Sequence, residues 1–263
     1  MRIARGAGAR AGGFFAHSSL LPVSLAWDAF GTANGAPSLK QMRAQIEKYR
    51  KQEPAGPRDY TIGCILLSQP FFLHGESWIP VPGDWSPNIV QGKTYDLAVE
   101  PGLTFFRQLQ ERLSLSAPVR EEMAALEKPV QKYGTPIEVL PRLGQGIFRV
   151  VILDAYGRQC AITGERVVPV LDAAHIKPYA QEGTHDPRNG ILLRSDLHTL
   201  FDKGYVTVTT DYHFEVSKHV REDYENGHEY YALHGQAIHV PDRAVYQPSV
   251  ENLAWHNENV YKG

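Results

Sequence analysis

Residues 160–204, CAITGERVVPVLDAAHIKPYAQEGTHDPRNGILLRSDLHTLFDKG, carry the clearest structural pattern of the chain. The apolar, β-branched run Val167–Ile176 predicts a buried strand, and Ile191–Leu193 predicts a second short strand. The polar connection between them contains prolines, glycines and Asn189, so it predicts a loop. A helix that ends near Gly204 follows the second strand. The pattern is therefore strand, long loop, strand and helix.

Three chemically active side chains fall at fixed points of this pattern. His175 lies at the end of the first strand, whereas His198 and Asp202 stand four residues apart on a helix that Ser195 or Asp196 can cap. Residues at this spacing share one face of a helix. An imidazole and a carboxylate on one face suit a divalent ion. His175 would face them across a gap, where a neutral imidazole can accept a proton near pH 7.

Four short blocks follow one another in this stretch: C-x-x-T-G, A-H-I-x-P-Y, N-G-I-x-L and L-H-x-L-F-D-x-G. In this order they resemble a branch of the HNH endonuclease family, whose ββα-metal fold hydrolyses nucleic-acid phosphodiesters with one divalent cation. The resemblance implies catalytic roles for His175, Asn189 and His198, with His175 as general base. Asn189 either bonds the loop backbone to hold the base in place or reaches the metal, and both alternatives stay open. The implied cofactor is Mg²⁺, with Mn²⁺, Ni²⁺ or Zn²⁺ as alternatives.

The metal-ligand set departs from the family pattern at one position. Many HNH enzymes carry Asp or His immediately before the base histidine, where this chain has Ala174. The ligands are then the helix pair His198 and Asp202, a set shared with Asp172 two residues upstream of Ala174, or a reduced set. We favour the helix pair. The alternative without function is that His198 and Asp202 form an ordinary helical ion pair.

The N-terminal part carries a second resemblance. Residues 12–31 (GGFFAHSSLLPVSLAWDAFG), 62–73 (IGCILLSQPFFL) and 78–97 (WIPVPGDWSPNIVQGKTYDL) resemble the PUA-like domain of the EVE and SRA kind. This β-barrel reads modified bases and occurs ahead of HNH units in restriction endonucleases. In such relatives the domain is longer at its N-terminus, so we expect a partial, N-terminally incomplete barrel here. Aromatic residues implied to line a modified-base pocket are Trp78, Trp85 and Tyr95, although the same side chains could simply pack the β core.

The expected fold class is α+β, with a ββα-metal domain behind the partial PUA-like barrel. An amphipathic helix is predicted over Ser38–Gln52, and the apolar run Tyr60–Leu73 predicts a central strand. The expected boundaries are 1–12, low-complexity and disordered; 13–115, the PUA-like reader; 116–141, a linker; 142–221, the HNH domain; and 222–263, a C-terminal extension that packs on the nuclease unit.

Composition limits the compartment and the partners. Two cysteines among 263 residues indicate a reducing compartment, and the sequence has neither a signal peptide nor an apolar run long enough to span a membrane. We therefore expect a cytoplasmic protein, and a homodimer is compatible with this interpretation. With a net charge of −2, affinity for a polyanion would require a local basic surface. The candidates are Arg158, Lys177, Arg188, Arg194 and Lys203.

Most other histidines have no partner in the pattern and are assigned to the surface. They are His185, His213, His219, His228, His234 and His239. The function predicted from these observations is metal-dependent DNA endonuclease activity that restricts base-modified foreign DNA. Two alternatives stay open, namely a catalytically weak or inert modified-DNA-binding protein and an RNA-directed nuclease.

Overall fold

A computed structural model describes residues 9–50, 59–86, 93–113, 144–178, 181 and 183–263. Its composition of helices and strands is mixed, in agreement with the expected α+β class. The N-terminal elements are β1 (Ala11–Pro22), α1 (Val23–Phe30), α2 (Leu39–Arg50), β2 (Thr61–Phe72) and α3 (Gly102–Leu113). The later elements are α4 (Gln145–Ala155), β3 (Leu171–His175), β4 (Gly190–Arg194), α5 (Ser195–Asp202), β5 (Val206–Val208), β6 (Phe214–Val216), α6 (His219–Tyr224), α7 (His228–Tyr231) and α8 (Val250–Asn259).

The chain divides into two compact units. One contains Met1–Ala16 and Ile65–Pro141, and the other contains His17–Cys64 and Arg142–Gly263. Residues of the predicted reader domain, 13–115, are thus shared between both units, and its boundaries stay a prediction. The predicted disordered segment lies largely outside the described residues, as does all of the predicted linker.

The first unit has a small apolar core. Ala9 pairs with Ile79 through two backbone hydrogen bonds of 2.7 and 3.3 Å. Both residues pack against the apolar face of α3, formed by Phe105, Leu109 and Leu113. These three residues recur at four-residue steps, so they lie on one side of the helix.

The strands β1 and β2 form a two-stranded sheet, and no closed barrel is present among the residues that the structure describes. The predicted PUA-like barrel therefore stays a prediction. Within the described ranges β2 has one partner strand and is not the central strand that its apolar run predicts. Ile65 is 60 % and Phe72 79 % exposed. The amphipathic helix is present as predicted, with the Ser38 hydroxyl accepting a hydrogen bond from the backbone N–H of Gln41.

The second unit is built around α4 and the β3–β4 hairpin. The buried side of α4 includes Phe148 and Ile152, which pack toward the hairpin. Its N-terminal turn approaches α1 closely because residue 146 is glycine: a Cβ there would lie 2.4 Å from the carbonyl oxygen of Ala29. The strands pair antiparallel, from Leu171 opposite Arg194 to His175 opposite Gly190.

The β3 strand is shorter than the apolar run that predicts it. Residues Val168–Val170 form a turn of 3₁₀ helix ahead of it, and Pro169 at its centre has no N–H for a strand ladder. Helix α5 follows β4 without a loop and ends at Asp202, two residues before Gly204, which has a φ of 73°. A side chain at this position would also meet the carbonyl oxygen of Val260 at 2.0 Å. Glycine is therefore required here twice, for its conformation and for the close approach of the C-terminal segment.

The C-terminal helix α8 packs against β5 and the end of α5. It begins where the Ser249 hydroxyl accepts a hydrogen bond from Asn252 N–H. The buried ring of His256 stacks on Phe201 with ring centroids 3.7 Å apart. Its Nε2 donates to the carbonyl oxygen of Phe201 at 3.1 Å, and its Nδ1 lies 2.8 Å from the Thr207 hydroxyl oxygen. No helix in the described part of the chain is long and apolar enough to cross a membrane.

Candidate active site

The hairpin and α5 bring two carboxylates to one imidazole. Nδ1 of His198 lies 3.4 Å from Oδ2 of Asp172, and its Nε2 lies 3.4 Å from Oδ2 of Asp202. The Asp202 contact joins neighbouring turns of α5, as the four-residue spacing predicts. The Asp172 contact crosses from β3 to the helix. Three residues separated by up to 30 positions thus form one cluster, the Asp172–His198–Asp202 cluster.

The two carboxyl groups of this cluster have opposite pKa shifts. Partial burial alone would raise the pKa of Asp172, but the Ser195 hydroxyl, His198 and Arg149 together hold it below its usual value. Desolvation raises the pKa of Asp202, and the negative charge of Asp172 adds to this effect against the opposing charge of His198. Asp172 is therefore the more strongly ionised of the two carboxyl groups in the absence of a cation.

Ala174 lies in the strand position at which relatives place a ligand. It is fully buried, and alternate residues of a strand point to the same side, so it shares a face with Asp172. The side chain of Asp172 reaches His198 from that face. This arrangement supports the ligand set shared with Asp172, which sequence reasoning had ranked behind the helix pair.

His175 is held between a phenylalanine and a second histidine. Its ring stacks on Phe148 at a centroid distance of 4.1 Å and an angle of 8°, and its Nε2 lies 3.0 Å from Nδ1 of His185. Burial, together with the charges of His185 and His198, lowers the pKa of His175 to about 4. The ring is therefore neutral at pH 7 and has the protonation state that a general base requires.

Glycine at the start of β4 permits this packing. Gly190 lies opposite His175 in the hairpin, and a Cβ on it would come within 2.7 Å of the Phe148 ring. The N-G pair of the motif thus has a steric reason in addition to its turn preference.

Asn189 is 1 % exposed and bonds the loop backbone. Its Oδ1 accepts from Lys177 N–H at 2.9 Å, while its Nδ2 donates to the carbonyl oxygens of Lys177 at 2.9 Å and Thr184 at 3.0 Å. All polar atoms of the side chain are thereby used within the loop. Of the two alternatives left open by the sequence, the structure shows the one in which Asn189 bonds the loop backbone.

A cleft of about 290 Å³ lies beside these groups. His175 and Asp202 both line it, so the proposed base and one proposed ligand face the same space. The other lining residues are Ile176, Pro178, Gln181, Lys203, His256, Asn259 and Val260. The C-terminal helix therefore forms part of the cleft wall, which the sequence pattern did not indicate.

The donor chemistry of the Asp172–His198–Asp202 cluster fits a divalent cation. One imidazole flanked by two carboxylates offers the nitrogen and oxygen ligands that Mg²⁺, Mn²⁺ or Zn²⁺ accepts. Within the described residues, no group of three or more His, Cys, Asp or Glu side chains converges as around an ion. The contacts thus identify candidate ligands and do not define a coordination geometry.

Comparison with known proteins gives one family match. Residues 160–209 match the family described as HNH endonuclease, a range that contains the whole hairpin and α5. This range is an HNH endonuclease domain. The predicted HNH domain is thereby confirmed. Among solved structures, the chain is similar to a protein titled "Modification dependent TagI restriction endonuclease", at 18 % identity and a TM-score of 0.34, over 43 % of this chain and 37 % of that protein. No curated protein sequence matches the chain.

The candidate nucleic-acid contacts of the HNH domain have different environments. Lys203 lines the cleft, and Nζ of Lys177 lies 5.5 Å from the ring centroid of Trp255 on α8. Arg188 is exposed. Arg194 makes two hydrogen bonds with Asp196, at 2.7 and 2.8 Å, and Arg158 bonds Asp154 and the carbonyl oxygen of Leu20. The last two arginines therefore have structural partners within the unit.

The three aromatic residues proposed for a modified-base pocket lie outside the HNH domain, in the other unit. Trp78 donates from Nε1 to the carbonyl oxygen of Leu73, and the guanidinium of Arg10 lies 4.0 Å from its ring centroid. Trp85 is partly buried, and the Tyr95 hydroxyl donates to Asp84 at 2.8 Å. These contacts do not place the three rings around a common space, and the pocket stays a prediction.

Sequence reasoning missed His185, which it assigned to the surface. This assignment is wrong, because the loop folds back and places His185 against His175 and 5.7 Å from the Phe148 ring. His234 was assigned to the surface as well, and its Nδ1 accepts a hydrogen bond from Val216 N–H. Position within the motif loop, four residues before Asn189, was the one available signal for His185.

Proposed function

We propose that the chain is a metal-dependent DNA endonuclease that uses His175 as general base and acts on DNA with modified bases. The observation that supports this proposal most directly is that His175 and Asp202, two residues of the HNH domain, line one cleft. Asp202 in turn contacts His198, which contacts Asp172. A proton acceptor and one candidate cation ligand thus line one space large enough for part of a nucleotide, and the other two candidate ligands follow from Asp202 through His198.

His175 would accept the proton of the attacking water. Its lowered pKa keeps the ring neutral, and the stacked Phe148 keeps it at the cleft. Asp172, His198 and Asp202 would hold the cation. When bound, the cation would neutralise the phosphoryl oxygens and assist departure of O3′. Asn189 would contact neither the attacking water nor the cation, and it would hold the loop between the two strands.

The preference for modified DNA rests on the resemblance of the N-terminal sequence to PUA-like readers.

Lys203 at the cleft and Lys177 beside it supply positive charge for a phosphate backbone. The cytoplasmic location and the homodimer stay predictions.

Cleavage of a supercoiled plasmid tests the proposal. The full chain is incubated with Mg²⁺ or Mn²⁺, with and without EDTA, beside the His175→Ala and His228→Ala variants. His228 is an exposed helix residue that does not line the cleft, so its variant is a matched control. We expect metal-dependent cleavage by the wild type and the control, and a loss of about 10²–10⁴-fold in His175→Ala.

Wild-type turnover by His175→Ala would exclude this residue as the base, and EDTA-resistant cleavage would exclude metal dependence. Matched DNA and RNA substrates distinguish the proposed enzyme from an RNA-directed nuclease. Equal cleavage of plain and base-modified DNA would contradict the modification-dependent part, and binding of modified DNA without cleavage would favour the inert-binder alternative.

A further inference from the structure

We propose that His185 is a positioning residue that fixes the tautomer and the orientation of the His175 ring. The proposal rests on the proposed role of His175 as base. Nε2 of His175 lies 3.0 Å from Nδ1 of His185, and the centroids of the two rings are 5.1 Å apart at an angle of 54°. This is a hydrogen-bond distance between two ring nitrogens, so one of them carries the shared proton.

The proton inventory of two neutral imidazoles leaves two arrangements. In the first, Nε2–H of His175 donates to Nδ1 of His185, and Nδ1 of His175 keeps its lone pair. In the second, Nδ1–H of His185 donates to Nε2 of His175, and the proton of the neutral His175 ring is on Nδ1. The ring then has no nitrogen left to accept a proton from water. Only the first arrangement produces a base. His185 is therefore assigned as the hydrogen-bond acceptor, with its own proton on Nε2.

The neutral state of both rings follows from their surroundings. Burial lowers the pKa values of both His175 and His185, and the Phe148 ring packs near both imidazoles. A neutral acceptor aligns the base without drawing its proton away, whereas a carboxylate at this place would favour the protonated imidazolium.

The backbone of the loop is bonded on the N-terminal side of His185. Asn189 bonds the carbonyl oxygen of Thr184, the residue before His185, and the backbone of Lys177, two residues after His175. Gly183 approaches the same segment so closely that a Cβ on it would lie 2.0 Å from the carbonyl oxygen of Lys177. The buried side-chain amide of Asn189 thus joins the backbone after His175 to the backbone before His185.

The proposal is tested with His185→Leu and His185→Asn in the full chain. Asn places an oxygen acceptor at the position of Nδ1, whereas Leu fills similar space without an acceptor. We expect His185→Leu to lower kcat by about 10–100-fold with little change in KM, because partners of this kind have effects of that size. His185→Asn should cleave about tenfold faster than His185→Leu. His228→Leu controls for the loss of a histidine outside the cleft.

A spectroscopic measurement separates orientation from mere packing. In protein labelled with ¹⁵N-histidine, long-range ¹H–¹⁵N correlation shows which ring nitrogen of His175 is protonated, with His175→Ala providing the assignment. We expect Nε2–H in the wild type and in His185→Asn, and mixed tautomers in His185→Leu. An Nδ1–H tautomer in the wild type, or an unchanged tautomer and kcat in His185→Leu, would overturn the proposal. The tautomer is measured without substrate. A catalytically inert wild type would therefore contradict the proposed function but would not change the tautomer result.

Discussion

Oδ2 of Asp172 lies 3.4 Å from Nδ1 of His198, so the strand that leads to His175 reaches the helix with the other candidate ligands. Ala174 occupies the usual ligand position on the same face of that strand. Asp172, two residues earlier on the same face, is the candidate that we propose in place of a ligand at Ala174.

This contact predicts that Asp172 contributes to cation binding. Asp172→Ala, His198→Ala and Asp202→Ala should each weaken Mn²⁺ binding by about 10–100-fold in isothermal titration calorimetry, because each removes a ligand or its immediate partner. Asp211→Ala is the matched control, since Asp211 is exposed and pairs with His213 in a turn. Unchanged binding in Asp172→Ala alone would show that the helix pair is sufficient.

Asn189→Ala should destabilise the unit as well as impair cleavage. The substitution removes three partly buried hydrogen bonds to the backbone of Lys177 and Thr184, so we expect a loss of about 2–4 kcal/mol in unfolding free energy. Urea denaturation measures this loss, with exposed Asn226→Ala as control. Equal stability of the two variants would mean that the loop backbone finds other partners.

Gly183→Ala should impair catalysis through the loop. The added methyl group would overlap the carbonyl oxygen of Lys177, so the segment that carries His185 must move. Gly144→Ala is the matched control, because a Cβ there meets nothing within 4 Å. We expect kcat to fall at least about tenfold in Gly183→Ala and to stay near wild type in the control. Full activity of Gly183→Ala would indicate that the loop position does not matter for the base.

Lys203 should contribute to substrate affinity through charge alone. In a cleavage-deficient His175→Ala background, Lys203→Ala is expected to weaken DNA binding and to reduce the slope of log K against log salt by about one. The exposed Lys218→Ala variant, outside the cleft, controls for net charge. Identical salt slopes in both variants would show that Lys203 does not contact a phosphate.

The motif region was predictable because its information is local. Strand periodicity, the turn residues and the four-residue spacing of His198 and Asp202 each concern a short segment, and the structure has the hairpin and helix that they predict. The position of His185 depends instead on how a loop folds back over ten residues, and no periodic pattern records that path. The prediction that β2 is a central strand was wrong for another reason, because composition cannot tell whether a neighbouring strand covers Ile65 and Phe72.

The cleft wall formed by α8 was unpredictable for a similar reason. His256 reaches the Phe201 carbonyl across 55 positions, and a single histidine in a short helix carries no sign of that partner. Phe201 immediately precedes Asp202, so His256 packs next to a candidate cation ligand. The burial of His256 also predicts how the stability of the protein depends on pH.

Burial lowers the pKa of His256 to about 4 in the folded protein, well below its ordinary value near 6.5. A folded-state pKa below the unfolded one means that the unfolded chain binds the proton more readily. The resulting stability is fully present above about pH 6.5 and is lost as the pH falls toward 4, with a total of about 3 kcal/mol.

The variant His256→Gln isolates this effect. Its amide can still donate to the Phe201 carbonyl but does not titrate in this range. Urea denaturation between pH 7 and 4 should therefore show a steeper loss of unfolding free energy in the wild type than in His256→Gln. If the two proteins lose stability in parallel, groups other than His256 are responsible for the acid sensitivity, and the ring is not held neutral by burial as the structure indicates.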